Sequence, residues 1–276
     1  MLCLSQPANL ARLARAPIEA IGFWRLLLAA AALAPWALAT LRGRRPRPRA
    51  LALSALCGVL FFAHLWTFIY AALHTKVANC MILFSVHPVL TAAGARLFYG
   101  ERVRGRLAVA YLLAAAGVGV LVRGSAGLDP ALLRGDLSAL GSAACFTAYV
   151  LAGRSAREEV PNELFACLVY ALAGGLFLAT ALLRGVPLSG YPAATWLAVA
   201  GLAFGVTLVG HAGFTSLYGR FSLAFLSCAK LVEPVLGALT ASVIFREGLS
   251  GRAAAAFALA GAAVVLLATV PAEEGG

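Results

Sequence analysis

Lys230 and Glu233 lie three residues apart inside an apolar run that covers 221–245. Three positions along a helix return to the same face, so a helix here brings ammonium and carboxylate within salt-bridge reach. A charge inside a hydrocarbon layer costs at least ~2.5–3.5 kcal/mol on insertion scales, so each one needs a structural partner or a functional reason. Two readings follow for the pair. Either it neutralises itself and holds two helices in register, or it faces a central cavity, where protonating Glu233 would free Lys230 to take an anionic group. Arg25, in Phe23-Trp24-Arg25-Leu26, also falls within an apolar run. It can attract an anion or snorkel to headgroups. His64, His87 and His211 are the titratable companions. An imidazole titrates near neutral pH and can relay protons, or it can stay neutral as a hydrogen-bonding group.

These residues stand in register with one another, because part of the chain is written twice. The stretch HPVLTAAGARLFYGERVRGR, from His87, and EPVLGALTASVIFREGLSGR, from Glu233, agree at 8 of 20 positions without a gap. Shared positions include Pro88/Pro234, Glu101/Glu247, Gly105/Gly251 and Arg106/Arg252. His87 thus takes the place of Glu233, and Phe84 that of Lys230. Pro88 and Pro234 read as mid-helix prolines, each removing one backbone hydrogen bond and freeing the carbonyl four residues back, which suits helices that bend around a cavity. They are the candidate helix hinges. GVLFFAH, ending at His64, matches GVTLVGH, ending at His211, so these two histidines are equivalents as well. Arg25 corresponds to Val169, so a shared fold does not explain its charge.

The elements that carry these residues must be membrane spans. Apolar residues make up 62% of the chain and charged ones 12%, against roughly 45–50% and about 25% in soluble domains. Apolar runs fall near 20–41, 51–73, 76–99, 107–123, 135–153, 164–183, 193–217, 221–245 and 252–270, of the length that crosses a bilayer core of about 30 Å. Pro17-Ile-Glu19 matches Pro161-Asn-Glu163, which sets Met1 opposite Cys145 and leaves the first half about ten residues short of a first helix. Either the reading frame extends upstream of Met1 or this first helix is short in its own right. The full plan is five spans plus five, with repeats at 1–127 and 128–276. An odd number of spans makes the second repeat enter from the opposite side.

Basic residues set the orientation. The Arg42–Arg49 run and Arg102, Arg104 and Arg106 place their loops in the cytoplasm, with both termini inside. The net charge of +11 follows from that bias, since the arginines are spread between spans rather than gathered for nucleic acid. The expected partners are a small-molecule substrate and the lipid bilayer, and monomer and homodimer both stay open. The six cysteines show no metal-ligand spacing and read as apolar packing residues, so neither metal nor cofactor is expected. Gly201-Leu-Ala-Phe-Gly205 reads as a close-packing stretch. An enzyme needs convergent acids, bases or ligands, whereas Asp129 and Asp136 read as two residues of one loop.

Taken together, these motifs resemble the drug/metabolite transporter superfamily, specifically its EamA-type permeases. The resemblance rests on Pro17 followed by Phe23-Trp-Arg-Leu-Leu-Leu-Ala29, on His87-Pro-Val leading to Gly100-Glu101, and on Leu231-Val-Glu-Pro-Val235 leading to Glu247-Gly-Leu-Ser-Gly251. It implies an all-α membrane protein of ten helices from two inverted five-helix repeats around a central cavity. It also implies export of small metabolites or drug-like compounds, often coupled to protons, from a bacterial inner membrane. Glu101 and Glu247 carry over as structural residues of the motif. One departure is Arg246, which stands where the first copy has Gly100. Glu233, Lys230 and His87 are the coupling and substrate candidates, followed by Arg25, His64 and His211.

Overall fold

In hydrocarbon every backbone amide must find its partner within the protein, and an apolar run does so as a helix. The computed structural model describes residues 2–41, 46–100, 105–125, 130–217, 230, 232–246, 248 and 250–268, and all regular structure among them is helical. Glu101, Glu247, Asp129, Cys228, Arg102, Arg104, Arg220 and Arg42, Arg44 and Arg45 of the basic run lie outside the described residues. The elements are α1 (Pro7–Ala14), α2 (Ile18–Leu41), α3 (Pro48–His74), α4 (Val77–Phe84), α5 (His87–Tyr99), α6 (Gly105–Ser125), α7 (Pro130–Arg157) and α8 (Asn162–Arg184). There follow α9 (Ala193–Ala200), a π-helical stretch (Gly201–Ala212) that runs on into α10 (Gly213–Thr215), α11 (Val232–Ile244) and α12 (Gly251–Ala268).

Among the described residues, six segments are long and apolar enough to cross a membrane: Ile18–Leu41, Pro48–His74, Val77–Tyr99, Leu132–Arg157, Asn162–Arg184 and Ala193–Ala212. Three shorter apolar helices, Ala108–Val120, Val232–Ile244 and Gly251–Ala263, fall on the remaining hydrophobic runs. Proline starts helices where its missing N–H is not needed, as at Pro7 and Pro48. The helix ends at Gly100 and Gly185 adopt left-handed backbone, which glycine takes without a Cβ clash. Arg246, at the place of Gly100 in the second copy of the repeat, is also left-handed, with φ 53° against 69°. A side chain there costs ~1–2 kcal/mol, of which glycine's greater freedom in the unfolded chain offsets about half. Arg246→Gly should therefore raise the unfolding midpoint slightly, by the equivalent of ~0.5–1 kcal/mol in a detergent melt. A lowered midpoint would contradict this account.

Both prolines of the duplicated stretch sit in the first turn of a helix rather than in its middle. The span 77–99 is broken at Ser85 and Val86, and α5 begins at His87, one residue before Pro88. The carbonyl of Phe84 does lose its helical partner, and the Nδ1 of His87 takes it at 3.1 Å. Likewise α11 begins at Val232, and Pro234 is its third residue. The carbonyl of Lys230 accepts the N–H of Glu233 at 2.9 Å. Asp136 corrects another expectation, since it belongs to the second turn of α7 rather than to a loop. It is buried, and Thr75 donates its hydroxyl to it at 2.7 Å.

Helix pairings bring the two halves together. α2 packs along α8, α6 along α12, and α4 against α11, while α3 lies in a trough formed by α7 and α8. α1 sits against α9, the π stretch, α11 and the end of α3. There the guanidinium of Arg12 donates to the carbonyls of Ala72 and Thr75, filling positions that a helix C-terminus leaves without partners. Gly201 packs on Leu10, as a close-approach residue should, but Gly205 has open space where a Cβ would stand.

Candidate functional site

Along α3, Phe61, His64 and Phe68 follow at helical spacing and all three are buried. α7 contributes Ser142, Phe146 and Tyr149, again one helical face, and α8 contributes Tyr170. Phe84 and His87 flank the break between α4 and α5, and His211 closes the π stretch. Their rings form one continuous cluster. Phe146 touches His64 at 4.9 Å between ring centroids, His87 at 5.0 Å and His211 at 6.1 Å. Phe61 bridges His64 and His211 at 5.6 and 5.1 Å. The structure thus brings together the three histidines that sequence pairing singled out.

Each of the three imidazoles is oriented through its Nδ1. His87 must carry its proton on Nδ1, because the partner there is a carbonyl, so a neutral His87 presents a bare acceptor at Nε2. That Nε2 is buried without a partner. The Nδ1 of His64 lies 2.8 Å from the Ser142 hydroxyl, which itself donates to the His64 carbonyl, so His64 also donates from Nδ1. His211 meets the Tyr170 hydroxyl at 2.8 Å, and its Nε2 is likewise buried and unpartnered. Thr91, one turn beyond His87, adds a buried hydroxyl with no hydrogen bond.

The charged residues stand at this cluster. Lys230 is 5% exposed, and its ammonium lies over the rings of Phe146 at 4.6 Å and Phe214 at 5.1 Å. Lys230 lies in a turn ahead of α11 rather than on that helix, and no ion pair joins it to Glu233, although each charge bears on the other. Glu233 is 6% exposed in the first turn of α11, and its Oε1 has no hydrogen-bond partner. Arg25 is 4% exposed and turns inward, donating from Nε to the Thr207 hydroxyl at 2.7 Å, so it does not snorkel. Arg25 and Lys230 both bear electrostatically on His64 and His211. Neither forms an ion pair among the described residues.

Tyr170, Thr207, Ser142 and Thr91 were not singled out by sequence reasoning, which looked for charge and imidazole. Polar groups interrupting apolar runs were the signal for them. No group of three His, Cys, Asp or Glu among the described residues could hold a metal ion. The described cysteines are free thiols, with Cys57 and Cys80 buried.

The profile of the EamA-like transporter family matches residues 8–123 and again 133–269. The chain belongs to the EamA-like transporter family. Its apolar helices make this EamA-like chain a multi-pass membrane protein. A Pseudomonas aeruginosa protein described only as uncharacterized is 27% identical over 239 residues, covering 85% of this chain and 79% of its own length. A solved structure titled only as the crystal structure of a protein superposes with a TM-score of 0.75 at 23% identity, covering 99% of this chain and 95% of that one. That likeness extends to the fold. In the EamA-like chain, the buried charges and imidazoles therefore sit inside a transporter-type architecture.

Proposed function

We propose that the chain is a secondary active transporter that exports a small metabolite or drug-like compound by alternating access. Two inverted repeats, with five helices in each full copy, rock about the cluster between them, and protons couple through Glu233 with Lys230 and His87. The single observation that carries this reading is that Arg25, Lys230 and Glu233 are buried in a transporter-family chain without an ion-pair partner among the described residues, because such groups in a span mark a substrate or proton path. Packing supports the repeat arrangement. Exchanging the halves turns the contact of α3 with α7 into that of α9 with α1, and the contact of α5 with α7 into that of α11 with α1. The pairs α2 with α8 and α6 with α12 each map onto themselves. The basic loops support a cytoplasmic position for both termini in a bacterial inner membrane.

Purified protein in liposomes under an imposed pH gradient tests the reading. Labelled amino acids, nucleosides, sugars and amphipathic cations are offered in turn. The expected result is accumulation of at least one of them beyond equilibrium, abolished by a protonophore. Equilibration without accumulation would make the protein a passive channel and end the coupled reading.

A further inference from the structure

Resting on the transporter reading above, we infer that the site takes an organic monoanion with a flat aromatic body, its carboxylate held between Arg25 and Lys230. Charge balance gives the first reason. Arg25 and Lys230 both bear on His64 and His211, and Glu233 bears on Lys230, so among these three groups, each more than nine-tenths buried, two cations stand against one carboxylate. A monoanion cancels the surplus, whereas a cation doubles it in surroundings where an uncompensated charge is most costly.

The donors that would hold a carboxylate are free to do so. Arg25 uses Nε on Thr207, and neither of its terminal nitrogens bonds a described residue. Those two nitrogens form a planar fork matched to a carboxylate. Among the described residues the Lys230 ammonium makes no hydrogen bond or ion pair and lies over aromatic faces, with the Glu233 charge acting on it from a distance. A cation over a ring gains ~0.5–2 kcal/mol. A hydrogen bond to a charged group gains ~1.5–3 kcal/mol, so an arriving carboxylate displaces the ring faces as the ammonium's partner.

The body of the ligand follows from the walls. Phe146 and Phe214 face the Lys230 ammonium, and from Phe146 the rings continue through Tyr149 to Phe61 at centroid spacings of 5.7 and 5.1 Å, within the range at which rings pack on rings. A flat ring is the shape that such walls accept with the least disturbance.

Four small probes separate the parts of this inference. Benzoate carries charge and ring, benzamide the ring without charge, benzylamine the ring with opposite charge, and acetate the charge without ring. In thermal unfolding of the purified protein, benzoate is expected to raise the midpoint in a concentration-dependent way. Benzamide and benzylamine should leave it unmoved, and acetate should bind at least about tenfold more weakly. Lys230→Met and Arg25→Gln should each abolish the benzoate shift. A shift with benzamide or benzylamine equal to that with benzoate would overturn the anion assignment, and acetate equal to benzoate would remove the ring. The wild-type comparison needs no variant, so a misfolded substitution does not decide the matter. Benzoate that binds but never crosses liposomes leaves the anion site standing and removes the transporter reading. Accumulation of an amine without benzoate binding does the reverse.

Discussion

Glu233→Gln is expected to lower gradient-driven transport in liposomes by one to two orders of magnitude while leaving exchange of substrate for substrate intact. Coupling free energies between two ligands commonly amount to ~1–3 kcal/mol, or about 5–150-fold, which sets the size of the loss. Glutamine keeps the volume and can still fill the first turn of α11, but it cannot bind or release a proton. The carboxylate is 6% exposed and its Oε1 has no hydrogen-bond partner, so no bond made by that atom is lost in the exchange. A merely structural role would therefore show as altered folding, and a coupling role as altered response to the proton gradient. An unchanged gradient-driven rate in a folded Glu233→Gln protein would remove Glu233 from the coupling path.

Gly237→Ala carries the largest expected loss of stability. A Cβ at Gly237 would stand 2.6 Å from the backbone oxygen of Ser5 and 3.2 Å from the Met81 side chain. A backbone oxygen cannot rotate aside, so the segment leading into α1 must move away from α11. That movement strains the bond from Asn9 to the Gly237 carbonyl at 3.0 Å and the bond from Gln6 to Thr240 at 3.2 Å. Overpacking costs ~1–3 kcal/mol and one lost hydrogen bond about 1 kcal/mol, so the sum is ~2–4 kcal/mol. An unfolding midpoint lower by about 5–10 °C would follow. Gly205→Ala is the control, because nothing lies within 4 Å of its added Cβ. Equal melting of the two variants would mean that α1 does not pack on α11 as described.

Apolar runs, their duplication and the histidine pairing were legible because each depends on periodicity along one segment. The matched heptapeptides made His64 and His211 equivalents, and in the fold both rings adjoin Phe61. Less legible was where the helix carrying Glu233 starts. Pro234 brings no N–H to the preceding turn, and α11 starts at Val232, with Lys230 in a turn ahead of it. Tyr170 and Thr207 escaped notice for a different reason. Their importance lies in partners 41 and 182 residues away, His211 and Arg25, and no spacing rule reaches that far. The inward turn of Arg25 belongs with these, because the choice between headgroup and protein interior is made by the neighbouring helix.

The Thr207 hydroxyl is one oxygen with two obligations. It donates to the carbonyl of Leu202, five residues back, the reach of a π turn rather than of an α turn, and it accepts the Nε of Arg25. The winding of the 201–212 helix and the aim of a buried positive charge are thereby made a single mechanical variable. Rewinding the helix would release the arginine, and a ligand that pulled the arginine away would loosen the winding.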